Sequence, residues 1–479
     1  MAAPSSFNDY VQNHTDAFID RLRTAVAYKS VSGDSTMRQN LIDTGIWLKG
    51  ELENLGVTVK LHDLGMQDDL QLPYLVLGSI GTDASKKTVL VYGHYDVMPV
   101  TMQANDWPDG SDAFILDVKD DKMYGRGSTD DKGPVMGWLN VLEAHQRLQL
   151  PLPVNIRFLF EGMEEVGSPG LDEFIVNEVN NGDFFKEVDC VCITDNYWLT
   201  TRRPVLTYGV RGIAYFTMDI TGAKDDMHSG LYGRMIHEPM TDMVKLLSKL
   251  VETTGVITVP DIENQVPPPS DDERESYRLM DYQLSDLWKD TGGRKVELSE
   301  DTAELLMGRM RYPSLSIHGI RGTFDTNDGL KTIIPANISA RFSLRLVEPL
   351  TPDYVIPRVT AFLKAEFAKL NSKNEIEVKY EGGGLPWVGE RNHWNYQAAD
   401  AATQAVWGSS LYPNYVREGG SIPVTLTFSE KLGKNVLLLP MGQSDDGAHS
   451  SLEKLDVSNY INGTRVFGEY LYQVANAQT

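Results

Sequence analysis

Five short stretches of this sequence set imidazole or carboxylate groups at the ends of apolar runs. "TVLVYGHYD" reaches His94 and Asp96, and "YGRGSTDDKG" brings Asp130 and Asp131 to the entrance of a helical segment. "IRFLFEGMEE" ends on Glu164 and Glu165, "CVCITD" on Asp195, and "VLLLPMGQSDDGAHS" carries Asp445, Asp446 and His449. Taken singly, each has an ordinary explanation as a hydrogen-bonded pair, a helix cap or a polar turn. Taken together they crowd negative charge, which is costly unless a cation sits among it. Histidine beside carboxylate suits Zn²⁺, with Mn²⁺ and Co²⁺ also compatible. Two histidines and several acids are enough for two ions, bridged by a shared carboxylate at about 3.5–4 Å as in two-metal hydrolases.

The elements around these stretches alternate. Helices carrying Phe7, Val11, Phe18, Leu22 and Val26, and then Leu41, Trp47, Leu48 and Leu52, open the chain. "PYLVLG", "TVLVYG", "VNIRFLF" and "DCVCI" read as strands, interleaved with the helices "GPVMGWLNVLEAHQRL" and "LDEFIVNEV". Such alternation predicts an α/β fold with a mixed, largely parallel sheet covered by helices on both faces. In sheets of that kind functional groups collect beyond the carboxyl ends of the strands, where all five stretches fall. The style changes near residue 209. "GIAYFTMDITG", "IIPANISARFSLRLV" and "EIEVKY" are strands, and "PMTDMVKLLSKLVETTG" and "YVIPRVTAFLKAEFAKL" are helices, as in a small α+β domain. Between them lies an acidic insertion, "PPPSDDERESYRLMDYQLSDLWKD". The α/β pattern then resumes with a helix over 396–407, the strand "NVLLLP" and the closing helix "YINGTRVFGEYLYQVAN". The expected organisation is one α/β domain, 1–208 and 388–479, interrupted by a smaller domain, 209–387.

The 479 residues carry a formal net charge of −23, which repels phosphate backbones and anionic lipid. Neither nucleic acid nor a membrane is expected as a partner. The start, "MAAPSSFNDYVQNHTD", has neither the basic nor the apolar region of a signal peptide. The two cysteines, Cys190 and Cys192, share one face of a strand, where a disulfide is geometrically poor. These features point to the cytoplasm.

The segments "GHYDV", "YGRGSTDDKGPV", "EGMEEVGS" and "DDGAHS" resemble those of the binuclear-zinc metallopeptidases that include carboxypeptidase G, aminoacylase and the carnosinases. "TDNYW", "RYPSLSIHGI" and "REGGSIPVTLTF" make the resemblance strongest to the branch of cytosolic nonspecific dipeptidases and Cys-Gly dipeptidases, over nearly the whole chain. The resemblance implies two divalent ions, Zn²⁺ first and Mn²⁺ second. It implies that Asp130 bridges them, that His94 and Asp195 complete one set, and that Glu165 and His449 complete the other. Asp96 would orient the imidazole of His94, and Glu164 would be the general base. The interrupting domain would be a lid and dimerisation domain whose His228 reaches the partner subunit's site. Arg345 would clamp the substrate's carboxylate, and Thr332, Gly420 and Ser421 would line the site.

The implied activity is hydrolysis of dipeptides with a free C-terminal carboxylate, Cys-Gly from glutathione breakdown foremost, by a homodimer. An N-acyl amino-acid deacylase on the same scaffold and an inactive metal-binding scaffold protein are the alternatives. Some carnosinase-like members carry a histidine ahead of a Gly-Gly-x-Pro-Trp segment. Here the segment is "EGGGLPW", with Gly382 at that place, a departure that bears on substrate selection and not on the ligands.

Overall fold

The computed structural model describes residues 2–100, 107, 112–322, 331–408, 414–420 and 422–478. The chain forms two compact units. The first comprises Met1–Tyr208, Gly389–Val416 and Val424–Thr479, the second Gly209–Val388 with Arg417–Pro423. The sequence pattern predicts 417–423 as part of the closing α/β segment. The structure returns it to the second unit because Arg211 holds it there. The Arg211 backbone N–H reaches the carbonyls of Glu418 and Gly420 at 3.2 and 3.1 Å, and its Nε donates to the Gly419 carbonyl at 3.1 Å.

In the first unit the sheet runs, in spatial order, through Thr58–His62, Leu75–Ile80, Asn155–Glu161, Thr88–His94, Cys190–Ile193, Asn435–Leu438 and Val205–Val210. The four strands from Asn155–Glu161 to Asn435–Leu438 are parallel. Those flanking them pair antiparallel. All residues of Thr88–His94 are buried, which requires cover on both faces. On one face Val89 and Val91 join a core with Trp138 of the helix Lys132–Leu148 and Phe467 of the helix Val457–Asn476. On the other, the Tyr92 ring meets Phe428 edge-on at 5.8 Å, and Phe428 meets Phe185 at 6.4 Å.

The chain leaves Thr88–His94 for its neighbour on one side, Asn155–Glu161, and then crosses to its neighbour on the other, Cys190–Ile193. Connections that diverge in this way open a crevice at the carboxyl ends of the strands. That crevice is where the five polar stretches lead.

In the second unit the strands Ser314–Arg321, Asn337–Leu346, Gly212–Thr221 and Glu375–Gly384 form an antiparallel sheet in that order. Alternate residues, among them Phe216, Met218, Ala340 and Phe342, pack with Met243 and Leu246 of the helix Pro239–Leu247 and Val355 and Val359 of the helix Pro352–Lys369. The sequence predicts that the first of these helices runs on to Gly255. It stops at Leu247, because Val251 pairs with Ile257 across a turn that includes Gly255 at a φ of 88°. The acidic insertion forms the helices Asp271–Arg278 and Leu284–Asp290. No helix among the described residues is long and apolar enough to cross a membrane.

The first and last helices of the first unit close on each other at Phe7. A Cβ at Gly468 would meet the Phe7 ring at 2.2 Å. Phe7 is fully buried and has little room to retreat. Gly468→Ala is therefore expected to destabilise the protein by about 1–3 kcal/mol, the usual range for overpacking. Denaturant unfolding checks this, and wild-type stability would show that the helix pair can slide apart at no cost.

Candidate metal centre

Each candidate side chain arrives from a different element. His94 is the last residue of its strand, and Asp96 follows in the loop. Glu164 and Glu165 open a short 3-10 turn, Glu164–Val166, just after the strand Asn155–Glu161. The turn lets adjacent residues face one site, which an extended strand would not. Asp195 lies just past Cys190–Ile193, Asp130 just ahead of the helix Lys132–Leu148, and His449 in the loop beyond Asn435–Leu438. The His449 backbone is left-handed, with φ 63°. A non-glycine residue held in that region is uncommon.

The carboxylate of Asp130 stands between the two histidines. Its Oδ1 is 3.1 Å from His94 Nε2, and its Oδ2 is 3.0 Å from His449 Nε2. Asp195 Oδ2 lies 3.7 Å from His94 Nε2, and Glu165 Oε2 lies 3.0 Å from His449 Nε2. His94, Glu164 and Asp195 hold ligand atoms within 4.8 Å of one another, as do Asp130, Glu165 and His449. These are two candidate metal-binding groups with imidazole nitrogen and carboxylate oxygen donors, a set that fits Zn²⁺ or Mn²⁺.

Asp96 does two jobs. His94 Nδ1 lies 3.1 Å from the Asp96 carbonyl oxygen and 3.3 Å from its Oδ1, so the ring proton stays on Nδ1 and Nε2 is left to face Asp130. The same carboxylate accepts the backbone N–H groups of Glu164 and Glu165 at 3.1 and 3.2 Å, fixing the turn that carries them. Asp131 Oδ2 accepts the N–H of His94 at 3.1 Å. A side chain at Gly93 would press within 2.6 Å of that oxygen. Sequence reasoning named Asp131 only as an acid at a helix start. It missed Glu161, whose Oε1 accepts from Tyr92 Oη at 2.6 Å and Ser168 Oγ at 2.8 Å. It also missed Glu453 and Arg126, whose partners lie too far along the chain for any local pattern to reveal. Asp446, read as one of the rim carboxylates, is instead paired with Lys454 at 2.6 Å.

The electrostatics follow from the crowding. Burial drives Asp130 upward, but hydrogen bonds from His449 and His94 overcome it and hold this carboxyl well below its usual range. Burial opposes charge on His94, yet Asp130 and Asp96 raise its pKa well above normal. Hydrogen bonds to Asp130 and Glu165 raise His449 to about 10. Burial, joined by Asp130 and Glu165, pushes Asp195 up to about 7 despite His94. Glu164 rises well above the carboxylate range through burial, with Asp195 and Glu161 adding to it.

The remaining candidates belong to the second unit. His228 lies in the strand Met227–His228, paired with Ile333–Ile334, and the Thr332 carbonyl accepts the N–H of Ser229 at 2.9 Å. His228 is exposed, and its Nδ1 accepts the N–H of Gly230 at 3.0 Å. Arg345 is half-buried in the strand Asn337–Leu346, opposite Ile213. Burial and the nearby Arg345 lower Arg211 to about 10, and the backbone of Arg211 holds Gly420. Ser421 lies outside the described residues. Gly382 sits opposite Tyr215 at a bulge with φ 137°, a conformation that favours glycine.

The profile of peptidase family M20/M25/M40 matches residues 90–473, and the chain belongs to that family. It is 46% identical to the Cys-Gly metallodipeptidase DUG1 of Candida albicans, over 98% of this chain and 97% of that one. It is 39% identical to the human Beta-Ala-His dipeptidase, over 97% and 92%. The fold is that of the dipeptidase Dug1p from Saccharomyces cerevisiae, with a TM-score of 0.90 and 40% identity across 99% of both chains.

The shifts dictate how the metal-free protein responds to pH. Asp195 has a folded pKa of about 7 and His449 one of about 10, against about 3.9 and 6.5 for the free side chains. Burial likewise raises Glu161 and Glu453 to about 7. In each of these four the folded state binds more protons, and they outnumber Lys132, which burial lowers to about 7 and which acts the other way. Their stabilising contribution is complete below about pH 4 and is lost as pH climbs through about 7 and then about 10. The melting temperature of metal-stripped protein is expected to fall from pH 6 to pH 9, and saturating Zn²⁺ to remove most of that slope. A metal-free melting temperature that rises over this range would contradict the assignment.

Proposed function

We propose that this chain is a metal-dependent dipeptidase acting on dipeptides with a free C-terminal carboxylate, with Cys-Gly as its principal substrate. The observation that carries this reading is the carboxylate of Asp130, with one oxygen toward His94 and the other toward His449. The names borne by relatives as similar as 46% identical over 98% of the chain support the substrate class. A cytoplasmic site of glutathione breakdown agrees with the unpaired thiols of Cys190 and Cys192.

In this reading His94, Asp130 and Asp195 would hold one ion, and Asp130, Glu165 and His449 the other, with Zn²⁺ favoured over Mn²⁺. When bound, the ions supply Lewis acidity toward the peptide carbonyl and lower the pKa of the attacking water. Glu164 accepts the proton of that water and returns it to the leaving amine. Asp96 holds Glu164 and His94 in register through the contacts described above. His228, with its proton on Nε2 because Nδ1 accepts from Gly230, would donate to the tetrahedral oxyanion. The second unit would act as lid and dimerisation domain, so that His228 serves the partner subunit's site. Arg345 would pair with the substrate's carboxylate, and Thr332, Gly420 and Ser421 would line its binding site.

The test is Cys-Gly hydrolysis by chelator-stripped protein with Zn²⁺ or Mn²⁺ added back, with bound metal counted. Metal is expected to restore turnover. Glu164→Ala should keep two ions and lose about 10²–10⁴-fold in kcat, the usual worth of a general base. Wild-type protein that loads two ions yet leaves Cys-Gly and other dipeptides intact would move the substrate class to acylated amino acids.

Mixing His228→Ala with Glu164→Ala subunits tests the shared site. Each single variant should be down by about 10²-fold or more. Heterodimers should regain activity, because one of their sites keeps both groups. Confirmed heterodimers without recovery would place His228 in its own subunit's chemistry, or in none.

A further inference from the structure

We propose that Glu453, working with Arg126, is the positioning residue that locks the loop of Asp130 to the loop of His449 and thereby sets the metal affinity of the Asp130–Glu165–His449 group. The inference rests on the metal reading given above. Glu453 is fully buried, and both of its oxygens are committed to one loop. Its Oε1 accepts the backbone N–H groups of Thr129 and Asp130 at 3.0 and 3.1 Å. Its Oε2 accepts the N–H of Gly127 at 3.0 Å and Arg126 Nη1 at 2.7 Å. The Glu453 carbonyl also accepts the N–H of Gly125, at 3.1 Å.

The other arm of the Arg126 fork completes the link. Its Nη2 donates to the Ser450 carbonyl at 2.9 Å, one residue from His449. The next side chain, Lys454, grips the His449 loop from its other end. Its Nζ reaches Asp445 at 2.7 Å and Asp446 at 2.6 Å. Asp446 Oδ2 in turn accepts from Thr129 Oγ1 at 2.8 Å. Two adjacent residues, Glu453 and Lys454, thus tie together the segments that carry Asp130 and His449.

A buried carboxylate with four donors is an expensive way to hold two loops together, since well-packed apolar groups stabilise a fold as well or better. What four donors drawn from residues 126–130 do supply is orientation. They leave the Asp130 backbone no freedom to turn its carboxylate away from His449. Groups that orient ligands in this way typically change metal affinity by about 10–100-fold when altered.

The experiment is Zn²⁺ binding by competition with a chromophoric chelator, run on wild type, Glu453→Gln and Arg126→Lys. Gln keeps the shape but turns an acceptor oxygen into a donor amide. Lys keeps the charge but loses the fork to Ser450. Both variants should weaken the ion at Asp130, Glu165 and His449 about 10–100-fold, and the ion that shares only Asp130 with it by less. Their kcat on Cys-Gly should fall at limiting Zn²⁺ and recover in excess Zn²⁺, with KM unchanged. A lowered melting temperature with wild-type affinity for both ions would make the pair merely structural and overturn the proposal. Equal weakening of both ions would also overturn it. If Glu453→Gln fails to fold, the Arg126→Lys affinities decide by the same criteria. Wild-type protein that binds no second ion would overturn the metal reading itself, and this inference with it.

Discussion

The structure is organised around one constraint: carboxylates crowd a buried rim where isolated charges are costly. Four parallel strands, antiparallel at their flanks, deliver these groups to one place, and the divergence of the chain at Thr88–His94 opens the crevice they fill. Everything near the rim deals with the charge in one of two ways. Some carboxylates are satisfied by protein donors. Others face the imidazoles of His94 and His449.

The division is visible atom by atom. Asp96 takes the N–H groups of Glu164 and Glu165, Asp131 takes that of His94, and Glu453 takes those of Gly127, Thr129 and Asp130. These acids bind backbone, so they fix geometry. Asp130, Glu165 and Asp195 instead direct oxygens at His94 and His449. The supporting acids hold the backbone of Asp130 and Glu165, two of the three that face the histidines.

Much of this was legible in the sequence, for a physical reason. Buried strands announce themselves as short apolar runs, and the polar residue that ends such a run must lie at a strand end. That logic brought together His94, Asp96, Asp130, Asp131, Glu164, Glu165, Asp195, Asp445, Asp446 and His449, and the resemblance singled out the candidate ligands among them. Glu453 and Arg126 escaped because they are partners across 327 positions, and nothing in "SSLEKLD" marks a residue that binds "GRGST". The attachment of 417–423 to the second unit escaped for the same reason, since it depends on where Arg211 lands. The early end of the helix at Leu247 reflects a local bridge from Val251 to Ile257, across the turn at Gly255, that outweighs a helical pattern. Local periodicity reports elements, and long-range hydrogen bonds between loops leave no periodic trace.

The interrupted layout also sets an order of events during synthesis. The second unit is nearly contiguous, so most of it can fold as it leaves the ribosome. The first unit cannot. Asp130 emerges early, but the carboxylate that holds its loop, the histidine opposite it and the helix Val457–Asn476 that completes the core all emerge at the end. Until then the nascent chain carries an apolar sheet without one of its covering helices, and acids without the donors that steady them. The candidate metal centre is therefore complete only after almost all of the chain has been made.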